Sequence, residues 1–283
     1  MSVLSRLRPA LLLAAIAAAA PAVVAADPAA PQAAPAPTTT TAPAAAPVLR
    51  DRLFLAFAQD AALVPSQWWE GQIEYDNGSS DFPVDALIVR GQVAFRPVKN
   101  LEVGGNVGFG TTHASGALPD GTGATDLDVY GKWVFPNAAS NTDFDAGVLF
   151  TIPTGDDTAG LGLNSFSAQM FGGVRYRMDN AVLGGHVGVR LNDNGKFQGT
   201  DLSGKTSFEL GVSAIFPLAN QVAIVTEAQL ETARFEESES GAQILGGVDW
   251  RAFSRGMFRG AVSFGLTDGS PNYRIILGYA YTF

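Results

Sequence analysis

The chain contains no cysteine and only two histidines. Disulfide frameworks and thiolate chemistry are therefore excluded, and the lack of thiols suits a chain that crosses an oxidising compartment unfolded. Charged residues make up 16% of the sequence, against roughly 25% in ordinary globular domains. The formal net charge is −9 and no basic cluster is present, which argues against nucleic acid as a partner.

Long apolar runs are missing everywhere except near the start of the chain. Residues 1–26 combine Arg6 and Arg8 with an apolar run and then small residues, a pattern typical of a secretory signal peptide. No later stretch is long and apolar enough for a membrane helix. The chain is therefore expected to be exported without a helical membrane anchor.

Two segments separate the signal peptide from the regular part of the sequence. Residues 27–49 are rich in Ala, Pro and Thr and bury no core, which predicts a disordered periplasmic linker of about 60 Å when extended; a tether that contacts the cell wall is the alternative. Residues 50–66 fit neither the helical nor the strand period. They form a segment tucked into the following domain, a periplasmic surface helix, or an extra strand.

From residue 67 to residue 283, apolar residues alternate with polar or small ones over about ten positions, and turn residues interrupt the pattern repeatedly. This predicts an all-β fold: a transmembrane, antiparallel, up-and-down β-barrel, because an even number of ten-residue strands suits a closed barrel in a bilayer. The twelve predicted strands are 67–76, 85–95, 101–111, 125–135, 143–152, 165–176, 181–191, 206–216, 221–232, 242–252, 257–266 and 272–283.

Short and long connections alternate along these strands, and this predicts the orientation. Bacterial barrels have short periplasmic turns and long outer loops, so the short set, such as 96–100 and 177–180, is expected in the periplasm. Outward aromatic residues gather near that end, as expected for an aromatic girdle at a membrane surface. They are Trp69, Phe95, Phe135, Phe144, Tyr176, Phe216, Trp250, Phe258 and Tyr281.

The last strand carries an aromatic wall that ends in Phe283. Tyr273, Tyr279 and Tyr281 share its outward face, while Gly278 and Ala280 lie on the other. Such a wall suits lipid, and it resembles the closing strand of bacterial outer-membrane barrels. The resemblance implies that the barrel-assembly machinery recognises the strand through Phe283. The predicted location is the outer membrane of a Gram-negative cell, with outer-membrane lipid as a partner and the linker in the periplasm.

Three short motifs occur in order along the barrel: VPSQWWEGQIE at 64–74, TDLDVYGK at 125–132 and LFTIPTGD at 149–156. In this order the sequence resembles the outer-membrane proteins grouped as transporters of the meta-pathway of phenol degradation, from about residue 64 to residue 283. The resemblance implies transport of small molecules, with hydrophobic or aromatic compounds as candidate substrates. It carries no functional residues over to this chain.

Alternation also predicts which charged residues face the lumen. The predicted lumen-lining residues are Glu70, Glu74, Arg90, Asp128, Lys132, Asp145, Arg175, Arg177, His186, Arg190, Glu209, Glu227, Glu231, Asp249, Arg251, Arg259 and Arg274. The arginines of strands six and seven are expected beside the glutamates of strands eight and nine, and Arg251, Arg259 and Arg274 are expected to face Glu70 and Glu74. Two interpretations remain: an ion-pair network that fills a narrow interior, or a polar pathway that orients a solute.

Catalytic, cofactor and metal sites are not predicted. His186 is expected inside the barrel and His113 in an outer loop, and no serine–histidine arrangement for nucleophilic catalysis is recognisable. Acidic loop residues such as Asp120 and Asp156 are more typical of solvated loop tips than of calcium ligands. The chain is therefore not expected to be an enzyme.

Three functions remain for such a chain. The first is a passive channel or transporter for a small-molecule solute. The second is a non-conducting structural or surface-interaction protein whose ion-paired lumen is plugged. A soluble ligand-binding barrel is a more remote third, because its outward aromatic residues would face water.

Overall fold

The computed structural model describes residues 60–64, 66–78, 84–114, 120–219 and 221–283. The predicted signal peptide and linker lie outside these residues, as do residues 50–59 and 65 of the segment before the barrel. Among the described residues, no helix is long and apolar enough to cross a membrane.

Twelve long strands follow the alternating part of the sequence, because a period of two puts apolar side chains on one face of each strand. They are β1 (Gln67–Asn77), β2 (Val84–Val98), β3 (Leu101–Ala114), β5 (Leu127–Ala139), β6 (Thr142–Ile152), β7 (Ser167–Arg177), β8 (Val182–Asn192), β11 (Ser207–Ala219), β12 (Val222–Glu231), β13 (Gly241–Phe253), β14 (Gly256–Gly265) and β15 (Tyr273–Thr282). Three short strands complete the fold: β4 (Gly121–Ala124), β9 (Gly195–Phe197) and β10 (Thr200–Leu202).

The long strands form a closed ring. Each pairs antiparallel with its neighbours, and β1 pairs with both β2 and β15, so that Trp69 lies opposite Tyr281 and Asp76 opposite Arg274. Closure leaves none of the twelve long strands as an edge strand. The predicted antiparallel barrel of twelve strands is confirmed.

One predicted strand, 125–135, is wrong at its beginning. The structure begins this strand at Leu127, as β5, and places the short β4 before it, because Phe109 pairs with Ala124 whereas Asn106 pairs with Asp128, a shift of one residue. The shift falls at residues 125 and 126. The Asp126 carboxylate there accepts hydrogen bonds from the backbone N–H groups of Gly155 (2.9 Å) and Leu163 (3.0 Å), so this bulge anchors the loop after β6.

A second correction concerns residues 192–205, for which the sequence predicts only a loop. They contain the β9–β10 hairpin, whose turn residues Gln198 (φ 46°) and Gly199 (φ 83°) both have left-handed backbone conformations. Positive φ at both central positions is the geometry of a tight two-residue hairpin turn. Glutamine is an uncommon residue there, so the sequence gives only a weak turn signal.

The two ends of the barrel differ, and we name them the turn end and the loop end. At the turn end, short connections such as the one from Arg177 to Val182 join the strands; at the loop end the connections are longer. The outward face is apolar, with Leu277 59% exposed, whereas Ile276 and Ala280 on the inner face of β15 are 2% and 1% exposed. The predicted outward aromatic residues lie near the turn end, where Trp250 stacks on Phe258 at 6.0 Å between ring centroids.

Candidate functional site

The inner face of the barrel collects the charged residues of the strands. All of the predicted lumen-lining residues lie on the face opposite the exposed apolar side chains, and each is buried or half-buried. Lys132, Arg175 and Asp249 are only 1% exposed. Charges this deeply enclosed require partners, and their partners determine what the interior can do.

Residues 60–64 lie inside the barrel, in its turn-end half. The Asp60 carboxylate accepts two hydrogen bonds from Nη1 of Arg175, at 2.8 and 2.6 Å, with both side chains almost fully enclosed. Of the three alternatives for the segment before the barrel, the structure therefore shows the tucked-in arrangement for these five residues. We call residues 60–64 the lumen segment.

A second group of side chains holds the backbone of the lumen segment. Lys132 Nζ donates to the carbonyl oxygens of Asp60 (2.6 Å) and Ala62 (2.9 Å), and the backbone N–H of Val64 donates to Glu102 Oε2 at 2.7 Å. Tyr130 donates its hydroxyl to the other oxygen of Glu102 at 2.8 Å. These contacts satisfy three backbone polar groups of a segment that pairs with none of the described strands.

Apolar side chains fill the lumen around the end of this segment. Val64 is 0% exposed and packs in a cluster whose other members come from seven of the twelve long strands: β1, β2, β8, β11, β12, β14 and β15. They are Trp68, Ala94, Val182, Ile215, Ala223, Val225, Met257 and Ala280. The turn-end half of the lumen is thus packed like a protein core.

Several of the remaining ion pairs differ from those that the sequence predicts. Arg259 was expected to face Glu70 and Glu74, but it binds Asp249 on the adjacent strand with contacts of 2.7 and 2.8 Å and lies 4.0 Å from Glu227. That expectation is wrong because Arg259 and Asp249 are directly opposite in the β13–β14 register.

Arg274 pairs with Asp76, at 2.5 and 2.8 Å. Glu74 binds Arg90 at 3.1 Å, so the acidic strand β1 is neutralised from both sides.

The three arginines of β7 and β8 also have separate partners. Arg175 binds the lumen segment, and Arg177 pairs with Asp143 on the neighbouring strand. Only Arg190 stands beside the predicted glutamates, at 3.6 Å from Glu209. It lies 3.8 Å from Glu231.

The buried histidine belongs to a hydrogen-bond network rather than to a catalytic arrangement. His186 Nε2 lies 2.8 Å from Glu209 Oε1, and Glu209 also accepts hydrogen bonds of 2.8 Å from Gln169 and Gln229. His113, which the sequence analysis expects in an outer loop, is exposed at the loop end beside Asp120. Among the described residues, no group of three or more His, Asp or Glu side chains is arranged to hold a metal ion.

Glycines give the large inward side chains room to lie flat on the wall. A methyl group at Gly211 would collide with the His186 ring, and one at Gly173 would lie 2.6 Å from a carboxylate oxygen of Asp145. Gly188 leaves similar space for Gln169. The abundance of glycine in the strands therefore has a packing cause: the interior of a twelve-stranded barrel is narrow.

At the loop end, the connection between β6 and β7 folds toward the axis of the barrel. We call residues 153–166 the mouth loop. Its Ala159 carbonyl accepts a 2.6 Å hydrogen bond from Thr112 on β3, and Leu161 packs in an apolar cluster with Ile88 of β2. Hydrogen bonds from the Thr158 hydroxyl and from backbone N–H groups hold the pKa of Asp156 below its usual range. The mouth loop thus narrows the loop-end part of the lumen.

Several inward charges were missed by the sequence analysis. Glu102 and Asp143 continue the inward alternation of their strands, so the signal was present at the strand ends. Asp76 is inward at the end of β1 for the same reason. Asp60 and Arg234 lie outside the long strands, and alternation carries no information about them.

Comparison of sequences gives no relatives: no protein-family model matches this chain, and no curated protein matches it. The resemblance to the phenol-degradation family therefore stays a prediction.

Solved structures give a clear fold match. The chain is similar to the COG4313 outer membrane channel from Pseudomonas putida F1, with a TM-score of 0.67 and 12% identity over 81% of this chain and 98% of that chain. It is also similar to the KdgM porin in complex with disordered oligogalacturonate (TM-score 0.54, 10% identity, 76% and 99% coverage). A third match is the NanC porin (0.55, 8%, 76% and 100%). At such low identity these likenesses establish the fold alone.

Proposed function

We propose that this protein is an outer-membrane β-barrel channel for small molecules, and that the lumen segment acts as its removable plug. The observation that carries the proposal is the way in which residues 60–64 are held. Arg175, Lys132 and Glu102 bind the segment through side chains, while the barrel strands are hydrogen-bonded to one another. The segment can therefore leave the lumen without breaking the barrel wall.

The outer-membrane location is supported by the two faces of the wall. Exposed apolar residues surround the barrel. Lipid would cover these residues at no cost in free energy, whereas in water such a surface would drive association between protein molecules. The short turns are proposed to face the periplasm, where the linker would also lie. The three similar structures are described as a channel and two porins, and this supports transport rather than catalysis.

A second candidate function is a non-conducting outer-membrane protein with a permanently filled lumen. The apolar cluster around Val64 favours it, because nine enclosed side chains stabilise the segment in place. In this interpretation the ion pairs of the wall serve stability only. Only the first candidate function involves a transported solute. The sequence resemblance implies hydrophobic or aromatic compounds as that solute.

Planar-bilayer recordings with the variant Asp60→Ala separate the two candidates. Loss of the Asp60 carboxylate removes the ion pair to Arg175, so we expect a several-fold rise in the fraction of time that the channel is open, or in its conductance. The control is Asp201→Ala, which removes an exposed carboxylate from the β9–β10 hairpin and should leave the recordings unchanged. If wild type and Asp60→Ala are both silent while folded, the protein is not a channel.

The proposed partnership with the barrel-assembly machinery gives a separate prediction. Phe283 is 63% exposed and packs edge-on against Tyr281, with 5.0 Å between ring centroids. Deleting Phe283, or replacing it with aspartate, should lower the amount of folded barrel in the outer membrane severalfold, because the recognition signal is lost. Removing residues 28–47 should have little effect. Quantitative blots of outer-membrane fractions give the measurement, and normal levels without Phe283 would refute the assignment.

A further inference from the structure

A cavity of about 340 Å³ lies in the loop-end half of the lumen, bounded on one side by the mouth loop. Its volume is at the lower end of the range for small-molecule sites. Much of its wall is apolar: Ile88 projects from β2, Leu161 and Leu163 from the mouth loop, and Phe197 from the β9–β10 hairpin. This part of the wall suits a hydrocarbon or aromatic group.

Arg234 enters the same cavity from the connection between β12 and β13. The connection is fixed, because the Arg234 carbonyl accepts a 3.0 Å hydrogen bond from the Lys205 N–H, and Gly204 and Phe235 form a β-bridge. The Arg234 Nε donates to Asn192 at 3.2 Å, and the guanidinium lies 5.9 Å from the centre of the Phe235 ring. The cation is thus held in place by its loop.

Arg234 is short of acceptors. In the described part of the chain, no carboxylate lies within 4.0 Å of its guanidinium, and its terminal nitrogens donate no hydrogen bond to the protein. Arg190 also lines the cavity; its Nη2 donates to Gln169 at 2.7 Å, and its nearest glutamate contacts are 3.6 and 3.8 Å. Burial lowers the pKa of Arg234 to about 10, and the positive charge of Arg190 acts in the same direction. An anion between the two arginines would raise the pKa of Arg234 again, because a nearby opposite charge favours the charged guanidinium.

The carboxylates that line the cavity are already occupied by the protein. Asp76 holds Arg274, and Asp126 accepts two backbone N–H groups of the mouth loop. Asp128 accepts the Thr151 hydroxyl at 2.7 Å and the Asn106 amide at 3.3 Å. Their negative charges nevertheless remain, and they would repel a doubly charged ligand. A single negative charge is therefore the best complement to this site.

We propose that this cavity binds small amphipathic monocarboxylates, with the carboxylate on Arg234 beside Arg190 and the apolar body against Ile88, Leu161, Leu163 and Phe197. The inference rests on the proposed function in one respect: such a compound would be a solute that the channel admits from the loop end. Binding itself does not require conduction and is measured separately.

Calorimetric titration of the folded barrel in detergent tests the proposal with three probes that share one apolar body: 4-phenylbutyrate, 4-phenylbutanol and 4-phenylbutylamine. We expect phenylbutyrate to bind most tightly. Arg234→Gln should weaken its binding about tenfold or more, as expected for loss of a charge-assisted hydrogen bond. Arg234→Lys, which keeps the charge but loses the planar fork, should bind with intermediate affinity.

The matched control is Lys196→Gln, which removes the same charge from the exposed face of the β9–β10 hairpin. It should keep wild-type affinity, and titrations into protein-free detergent correct for partitioning. Heat-modifiable gel migration verifies that each variant is folded. Equal affinity of the amine and the acid, or unchanged phenylbutyrate binding by Arg234→Gln, would overturn the proposal while leaving the channel function intact. Arginine-dependent binding by a barrel that never conducts would support this site and refute the channel.

Discussion

Replacing Asp60 by alanine is expected to lower the free energy of unfolding of the barrel by about 3–5 kcal/mol, the usual cost of removing one partner of a buried ion pair. Arg175 is 1% exposed and part of the wall, so its guanidinium cannot turn to water when the carboxylate that accepts two of its hydrogen bonds is removed. Urea-induced unfolding and refolding in lipid vesicles gives the measurement.

Arg175→Met is expected to cost clearly less than Asp60→Ala. The methionine keeps part of the packing, and the lumen segment, which is not part of the sheet, can carry the Asp60 carboxylate to water. The double variant should then be more stable than Asp60→Ala by about 2 kcal/mol, because contacting residues are coupled rather than additive. If the cost of the double variant equals the sum of the two single costs, the two side chains do not form a direct ion pair.

A neighbouring ion pair provides the control for this cycle. Asp143→Ala removes the carboxylate next to Arg177, which lies two positions beyond Arg175 on the same strand. The Arg177 side chain is 28% exposed and can be hydrated at the turn end. The expected cost is therefore about 1 kcal/mol. A cost equal to that of Asp60→Ala would mean that burial does not determine these energies.

The barrel itself was predictable because its sequence signal is local and repeated. In β15, for example, every second residue from Tyr273 onward is apolar and faces outward; the other strands keep the alternation, with a few polar residues such as Thr226 on the outward face. Alternation alone also assigns the inward face, so the charged inner wall follows from the sequence. The inward charges at the strand ends, such as Glu102, follow when the same alternation is continued to the end of each strand.

The ion-pair partners were only partly predictable, since they depend on register. The pair Asp249–Arg259 lies close to the hairpin that Phe253 and Gly256 close, but a register shift between Trp250 and Phe253 intervenes, so a count from that turn would have placed Asp249 opposite Gly260 instead. The pair Asp76–Arg274 depends instead on how β1 meets β15, strands 198 residues apart at this contact. The register between the first and the last strand depends on the registers of all the other strand pairs in the barrel.

The lumen segment was not predictable for a different reason. Residues 60–64 read Asp-Ala-Ala-Leu-Val, a composition compatible with a helix, a strand or a core packing element. Their position is determined by contacts with side chains far along the chain: Glu102, Lys132 and Arg175. Arg234 is a similar case, because a loop places it over a cavity that exists only in the folded barrel.

The placement of lipid around the barrel gives the last prediction. Val148→Arg is expected to cost about 2–4 kcal/mol in lipid vesicles, as for a charge on the lipid-facing side near the bilayer midplane. Val148 lies near the middle of β6, is 40% exposed on the outer face, and pairs with Met170, which is 65% exposed. The residues directly opposite Val148 on the two neighbouring strands are Gly131 and Met170, and neither offers a carboxylate or hydroxyl acceptor to an arginine.

The matched control is Gln229→Arg, on the inner face of β12 two residues before the end of that strand. Gln229 donates to Glu209 at 2.8 Å and accepts a 2.9 Å hydrogen bond from Gln243, so an introduced guanidinium would stand beside a carboxylate. Its cost should stay below about 1 kcal/mol, within the range of ordinary surface substitutions and partly offset by Coulomb attraction. Gly108, also inward, is unsuitable because Ile88 lies 2.8 Å from the position of an added methyl group. Refolding equilibria that give equal penalties at residues 148 and 229 would mean that lipid does not cover the outer face, and the proposed membrane location would have to be abandoned.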